Sequence, residues 1–528
     1  MPSIKQLFHW LDVNLLLILA GFLLVFIPLY PKLPLFEILP GYIVRVRLED
    51  FFVSASLIIY LIQVLRRKAP FRSLLLVPMG IYLALGLLSA FSAIFITHTV
   101  PLDPLHYGKT LLHWARRLEY FSLYFVFYAA VRSFKTARNL GLLLGLVTLL
   151  ATLYGLGQKL YSWPVYSTMN REFAKGWRLV LTEHARVPST FAGHYDFAAW
   201  LVLSLTLFTS LLLFASNKFI RIFGIISFVA GLSSLVLTAS RASYLAYLAA
   251  VSLTVFLLAL RRDLFWGLSR WLGLITVSVV MMLSFGELSD RLAHFFNFGR
   301  IIAYIKSDLL KIKPRNDNYL NLTQDLALVY VPSDQPPVPA PTSSLPPDVY
   351  EAIPEPFPAD DPRATGGGKL RYDASGSAIV DKPRIYSNTA FAFGLSSAIR
   401  FDALWPRAIQ RWLTNPLLGS GYATLTAEKI GIFTEAESTD NDYLRALGET
   451  GLLGFLSFYG IIFIALRYAW INRHKLTSPT VYALVAGIAT GALGLLINAT
   501  YIDVFEASKV AFTFWALMGL MVATIDRS

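Results

Sequence analysis

Three features of the chain predict an all-α integral membrane protein with about twelve transmembrane helices. Of 528 residues, 55% are hydrophobic and only 15% are charged, whereas a soluble chain carries about a quarter charged residues. Apolar runs recur along most of the sequence, each roughly 20 residues long, the length that crosses a bilayer as a helix. Runs in this number and of this length do not fit a water-soluble core.

The first run, Val13–Leu29, follows a short polar stretch and has no small-residue cleavage site after it, so it reads as a retained helix rather than a signal peptide. Helices are predicted near 12–30, 49–66, 73–95, 116–132, 138–157, 194–215, 219–238, 242–260, 265–285, 451–470, 478–499 and 506–525. Basic residues fall on alternate connections: Arg66, Arg67, Lys68 and Arg72; Arg132, Lys135 and Arg138; Lys218 and Arg221; Arg261, Arg262 and Arg270; Arg473 and Lys475. Positive loops mark the cytoplasmic side, which predicts both termini inside. The chain then divides into membrane helices over 1–285, a large extracytoplasmic loop over 286–450 between the ninth and tenth helices, and three last helices over 451–528.

Inside that loop, about 331–368 is rich in proline, ends in Gly366-Gly367-Gly368 and reads as irregular. An amphipathic helix is predicted at about 400–413. Leu404, Trp405, Ala408, Ile409, Trp412 and Leu413 form its apolar face, with Arg400, Arg407 and Arg411 opposite, a pattern suited to a membrane surface. Asn415-Pro416 stops it and Gly419-Ser420-Gly421 turns the chain.

Composition also excludes chemistry. The chain has no cysteine, so disulfides, thiolate zinc sites and cysteine nucleophiles are ruled out. Its eight histidines are scattered without a His-x-x-x-His pair, so no metal site is expected. The net charge of +13 fits basic helix ends near anionic lipid, and nucleic acid is not expected.

Ionisable residues, with the polar Asn441 among them, are predicted to gather at the outer end: Arg47, Glu49 and Asp50; Arg116, Arg117 and Glu119; His194 and Asp196; Arg241; Asp440, Asn441 and Asp442; Asp503 and Glu506. Charge at a bilayer edge is costly unless paired or functional, so two readings stand: interfacial capping with Arg–carboxylate pairs, or a site for an anionic, lipid-borne substrate. Arg186, Arg241 and Arg400 are the candidate anion ligands, since a guanidinium stays charged and grips phosphate oxygens in a fork. For Arg241, between two apolar helices, the structural alternative is a carboxylate partner such as Asp196.

Several blocks in order carry a resemblance. They are Arg186-Val-Pro-Ser-Thr-Phe-Ala-Gly-His194-Tyr195-Asp196, Ser240-Arg241, the large loop, Asn415-Pro416-Leu417-Leu418-Gly419-Ser420-Gly421, and Asp440-Asn441-Asp442-Tyr443-Leu444 followed by Glu449-Thr450-Gly451-Leu452-Leu453-Gly454. Over roughly 180–470 the chain resembles the O-antigen ligase and O-antigen polymerase superfamily of bacterial membrane glycosyltransferases. The resemblance implies a glycan carried on undecaprenyl pyrophosphate and moved to a glycan or lipid acceptor hydroxyl, with inversion and without a metal or cofactor. It implies this at the outer face of the bacterial cytoplasmic membrane. It implies catalytic roles for Asp440, Arg241 and Arg400, and substrate contacts for Arg186, His194, Asp196, Asn441 and Tyr443.

The chain departs from the ligases at one position. They carry histidine immediately before the Asn-x-Tyr-Leu stretch, where this chain has Asp440. A carboxylate can still take a proton from a hydroxyl late in transfer, so the change favours a polymerase or a ligase for another acceptor. Capping of the tenth helix by Asp440 or Asn441 is the structural alternative. A transporter or flippase of lipid-linked sugars is the competing function, though it calls for polar or broken helices at mid-membrane and no internal repeat is apparent.

Overall fold

The computed structural model describes residues 4–40, 42, 44–169, 173–182, 185–284, 399–425 and 438–528, with short strand pieces at 351–352, 370–372 and 378–380. The proline-rich stretch expected to be irregular, 331–368, lies outside the described residues apart from 351–352.

Among the described residues the chain is built from twelve long helices and one short one. They are α1 (Ile4–Leu29), α2 (Leu48–Leu65), α3 (Leu76–Phe95), α4 (Pro104–Ala130), α5 (Phe134–Tyr161), α6 (His194–Phe214), α7 (Lys218–Leu237), α8 (Arg241–Ala259), α9 (Leu264–Ser284), the short α10 (Trp405–Thr414), α11 (Asp442–Asn472), α12 (Pro479–Asn498) and α13 (Ser508–Asp526). Eleven are long and apolar enough to cross a membrane. The twelfth, α4, carries Lys109, Arg116, Arg117 and Glu119. The protein is an all-α polytopic membrane protein, as the apolar runs predict.

The first helix begins at Ile4 rather than 12, and two further helix starts are corrected. The fourth helix begins at Pro104, not 116, capped by Asp103, whose side chain accepts from the Leu105 N–H at 2.9 Å. The helix predicted as the tenth, observed as α11, begins at Asp442, not 451. In both cases a charged first half hides the helix from a hydropathy reading. Arg116 and Arg117 therefore lie midway along a helix rather than at its mouth. Buried charge is tolerated there because it is paired.

The core is formed by α6, α12 and α13, which are buried nearly all round, whereas α9 is peripheral. Without a hydrophobic drive between helices in lipid, small residues decide how close backbones come. A Cβ at Gly491 of α12 would lie 2.6 Å from Thr206 Oγ1 of α6, and one at Gly519 of α13 would lie 2.3 Å from the Tyr124 carbonyl oxygen of α4. Hydroxyls tie the same helices: Thr254 meets Thr490 at 2.7 Å, and Trp200 Nε1 donates to Thr513 Oγ1 at 3.0 Å.

Basic connections gather at one end of the bundle. Arg261 donates to the Leu476 and Arg473 carbonyls, joining the α8–α9 and α11–α12 turns, and Asp12 pairs with Arg66 at the end of α2. The opposite end carries the α1–α2 connection, where Pro34–Phe36 and Val46–Arg47 pair as a small antiparallel ladder.

Candidate active site

At that opposite end, α11 is bent at Gly451, which has φ +66°. The Asn415–Gly421 segment fills the bend. Ser420 and Gly421 donate to the Gly448 and Glu449 carbonyls at 2.8 and 2.9 Å, and Leu452 donates to the Pro416 carbonyl at 2.9 Å. The fit is backbone against backbone. A Cβ on Gly419 would lie 2.5 Å from Glu449, and one on Gly451 would lie 2.4 Å from Leu417. Two sequence blocks that look like separate motifs are thus halves of one joint, and their glycines are required by close approach and positive φ.

The joint fixes the segment leading into α10. Arg400 does not open the amphipathic helix as expected. It lies in a π-helical turn, Ile399–Leu404, and is 4% exposed. Its guanidinium stacks over the Tyr501 ring at 4.3 Å, and Nη2 pairs with Asp440 Oδ2 at 2.9 Å. Asp440 has φ +50°, a conformation in which Asn, Asp and His are enriched among non-glycine residues. Ser438 Oγ donates to its Oδ1 at 2.7 Å, and the side chain remains one-third exposed, 33%. Burial raises the Asp440 pKa above the usual carboxylate value; Arg400 opposes the shift and Asp503 adds to it.

Asp440 is not the helix cap. Asn441 is: its Oδ1 accepts from the Leu444 N–H at 3.0 Å, while Nδ2 donates to the Thr500 carbonyl at 3.1 Å. Tyr443 is also committed, donating from its hydroxyl to the Leu496 carbonyl at 2.6 Å.

Behind Asp440 lies a buried ion network. Asp503 accepts from the Thr439 and Asn441 backbone N–H groups at 3.0 and 2.8 Å and pairs with Arg445 Nη1 at 2.9 Å. Arg445 Nε lies 3.3 Å from Glu449 and 3.7 Å from Glu506, and Glu506 pairs closely with Arg117. Burial disfavours charge on Glu506, but Arg117 and Arg445 outweigh it and hold its pKa at about 2. Arg445 gave no signal in the sequence, and Glu449, four residues on, stood out only as the start of a family block.

The remaining expected residues fall into two groups. Arg186 Nη1 meets His194 Nε2 at 2.7 Å and donates to the Tyr195 hydroxyl at 3.0 Å. Its loop is pinned to the α7–α8 turn by Val187 N–H donating to the Leu237 carbonyl at 3.3 Å. Lys509 ties the same loop to the end of α1, donating to the Thr190 carbonyl at 2.7 Å and the Pro28 carbonyl at 3.1 Å. Arg241 is the first residue of α8. Ser243, two residues along α8, accepts from Asn498 Nδ2 at 3.0 Å, and the Asp442 N–H donates to the adjoining Ala499 carbonyl at 3.0 Å. The start of α8 is thereby held at the junction that carries Asp440.

Asp196 belongs elsewhere. It makes no ion pair with Arg241. It lines a cavity of about 480 Å³ with Lys32, Arg47, His113, Arg116 and Ser508. Lys32 is buried, pairs with Glu49 at 2.9 Å and has its pKa lowered by that burial and by Arg47. A lone lysine in a connection carries no pattern, so nothing in the sequence marked it.

Residues 226–459 match a family model described as O-antigen ligase. That match supports membership of the O-antigen ligase superfamily. The matched range holds Arg241, Arg400, Asp440, Asn441 and Tyr443, the bend of α11 and the segment that fills it. Arg186, His194 and Asp196 precede it. Members of the O-antigen ligase family are membrane glycosyltransferases, acting as ligases or polymerases on lipid-linked glycans, and the match supports a bacterial membrane enzyme of this kind. A comparison with curated proteins found no match.

Proposed function

We propose that the protein transfers a glycan from undecaprenyl pyrophosphate to an acceptor hydroxyl, with inversion and without a metal, at the outer face of the cytoplasmic membrane. Both termini are cytoplasmic in this reading, as the clustered basic turns favour. The observation that carries it is the Arg400–Asp440 pair, one partner buried and the other one-third exposed, 2.9 Å apart within the matched family range.

The chemistry follows from the two charges. Asp440 takes the proton of the acceptor hydroxyl as its oxygen bonds to the anomeric carbon. The bond from that carbon to phosphate oxygen breaks, and the electron pair leaves on the pyrophosphate. Arg400 and Arg241, with Arg186 beside His194, bind that group and offset the charge growing on it. A diphosphate competes with Asp440 for the Arg400 guanidinium. Binding of donor then leaves the carboxylate less stabilised as an anion and a better base. Asn441 and Tyr443 hold the loop that presents Asp440. Aspartate in place of the ligases' histidine favours polymerase-type transfer, with another glycan as acceptor.

The experiment is glycan transfer from a lipid-pyrophosphate donor by purified protein in nanodiscs. Asp440→Asn keeps the positive φ and the volume but removes the base, so transfer falls by roughly 10²–10⁴-fold. Asp440→His suits the same backbone and retains part of the activity. Arg241→Lys keeps the charge, loses the planar fork and impairs donor use. Wild-type transfer by Asp440→Asn removes Asp440 as the base.

A further inference from the structure

The cavity beside Lys32 is not explained by the transfer chemistry. It is bounded by the α1–α2 connection, α4, the start of α6 and the Glu506–Ser508 segment before α13. Its volume of about 480 Å³ lies in the range of small-molecule sites.

Its charge is balanced. Four cations line it, Lys32, Arg45, Arg47 and Arg116, and so do four carboxylates, Asp50, Glu119, Asp196 and Glu506. Each cation is already answered: Lys32 and Arg47 by Glu49, Arg45 by Glu37, and Arg116 by Asp50 and Glu119. A diphosphate needs surplus positive charge, and this lining offers none. Asp196 is different. Among the described residues it has no hydrogen bond and no ion pair, and it feels Lys32, Arg47 and Lys509 only through their fields. A carboxylate held in a cavity with acceptor capacity to spare suits hydroxyl donors. Aromatic rings complete the lining. Phe36 and Phe51 are half-exposed, at 52% and 50%, and Tyr42, anchored to His113 Nε2 at 2.5 Å, is buried. Apolar ring faces with interspersed donors and acceptors match the two faces of a sugar, C–H on one and hydroxyl at the rim.

The cavity is also joined to the transfer centre. Glu506 lines it and pairs with Arg117 and, at 3.7 Å, with Arg445, which holds Asp503 and through it the Asp440 loop.

We propose that this cavity binds uncharged sugar residues of a glycan engaged at the neighbouring transfer centre, with Asp196 accepting from hydroxyls and Phe36 and Tyr42 stacking on ring faces. The proposal rests on the transfer reading above. The glycan belongs either to the lipid-linked donor or to the acceptor, and the two sources share this chemistry.

The test uses the full chain in nanodiscs and two probes. One is the oligosaccharide released by mild acid from the lipid-linked pool of the producing cells; the other is inorganic pyrophosphate. Saturation-transfer NMR reads oligosaccharide binding, and inhibition of transfer reads pyrophosphate. In Phe36→Ala, at an exposed position, and in the near-isosteric Asp196→Asn, oligosaccharide affinity falls at least tenfold while pyrophosphate inhibition is unchanged. The KM of one substrate rises about tenfold with a much smaller change in kcat. A rise for the donor places the donor glycan in the cavity, and a rise for the acceptor places the acceptor there. Unchanged oligosaccharide affinity overturns the proposal. Weakened pyrophosphate inhibition overturns it too, and makes the cavity the diphosphate site. If Asp440→Asn transfers normally while Phe36→Ala and Asp196→Asn lose sugar binding, the transfer centre is misassigned and the cavity stands.

Discussion

Two groups of charge at one end of this bundle are built differently. In the Arg117–Glu506–Arg445–Asp503 network the charged groups are largely buried and share partners; both oxygens of the Asp503 carboxylate also accept backbone N–H groups. In the Arg400–Asp440 pair, one carboxylate is one-third exposed and held by a single guanidinium and a single hydroxyl. Saturated charge is fixed in place and serves as structure. Charge with spare valence at the surface of that structure is available for chemistry. The first group is the mount and the second is the tool.

The largest effect expected from this difference is on folding. Removing one partner from a buried ion network leaves the others uncompensated and costs about 3–5 kcal/mol. Arg445→Ala and Glu506→Gln should therefore lose most folded protein, read as a drop in unfolding temperature in detergent. Asp440→Asn should stay close to wild type in the same measurement. Glu506 adds a pH signature. Its folded pKa is depressed from 4.5 to about 2, so its share of stability is present above the unfolded value and is lost as pH falls through about 2. Glu506→Gln should flatten the loss of stability on acidification. Equal melting of Glu506→Gln and wild type would dissolve the contrast between the two groups.

The sequence announced these groups unequally, for physical reasons. Most spans are legible because lipid demands long apolar runs. The first half of α4 and the first nine residues of α11 are not, because His106, Lys109 and His113 in the one and Asp442, Arg445 and Glu449 in the other break the hydropathy that marks a span. The burial of Arg400 was also hidden: its spacing fits an amphipathic surface helix, and only the π-helical turn rotates it inward over Tyr501. The glycine blocks were visible as a resemblance, but not as one joint, since the pairing of Gly419 with α11 and of Gly451 with Leu417 is a contact across the chain. The cavity was least legible, because its lining comes from five separate parts of the sequence.

A middle-sized effect is expected in pH dependence. Burial raises the Asp440 pKa and Arg400 holds it back. A base must be deprotonated, so transfer should rise with pH through a midpoint above the ordinary aspartate value of about 3.9. Arg400→Gln removes the restraint, and the acid limb of kcat/KM should move to higher pH, in addition to any loss of rate. A limb that stays in place would mean that Asp440 is not the titrating base or that the pair does not form in the free enzyme.

The smallest effect separates holding Asp440 from being Asp440. Asn441 caps α11 with one end of its amide and ties the loop to Thr500 with the other. Losing an N-cap costs about 1 kcal/mol, so Asn441→Ala should lower stability by roughly that amount, and the loop should loosen. The carboxylate and its guanidinium partner are still present in that variant. Transfer per folded molecule should therefore fall far less than in Asp440→Asn, and the acid limb should keep its midpoint. Asn441→Asp retains an acceptor for the Leu444 N–H but loses the donor to Thr500, and it should recover part of the lost stability. The two neighbours would then differ in kind: one changes how much enzyme is folded, the other what the folded enzyme can do. If Asn441→Ala instead matched Asp440→Asn in lost transfer at unchanged stability, Asn441 would have to touch substrate, and the division between mount and tool would run through residue 441 rather than beside it.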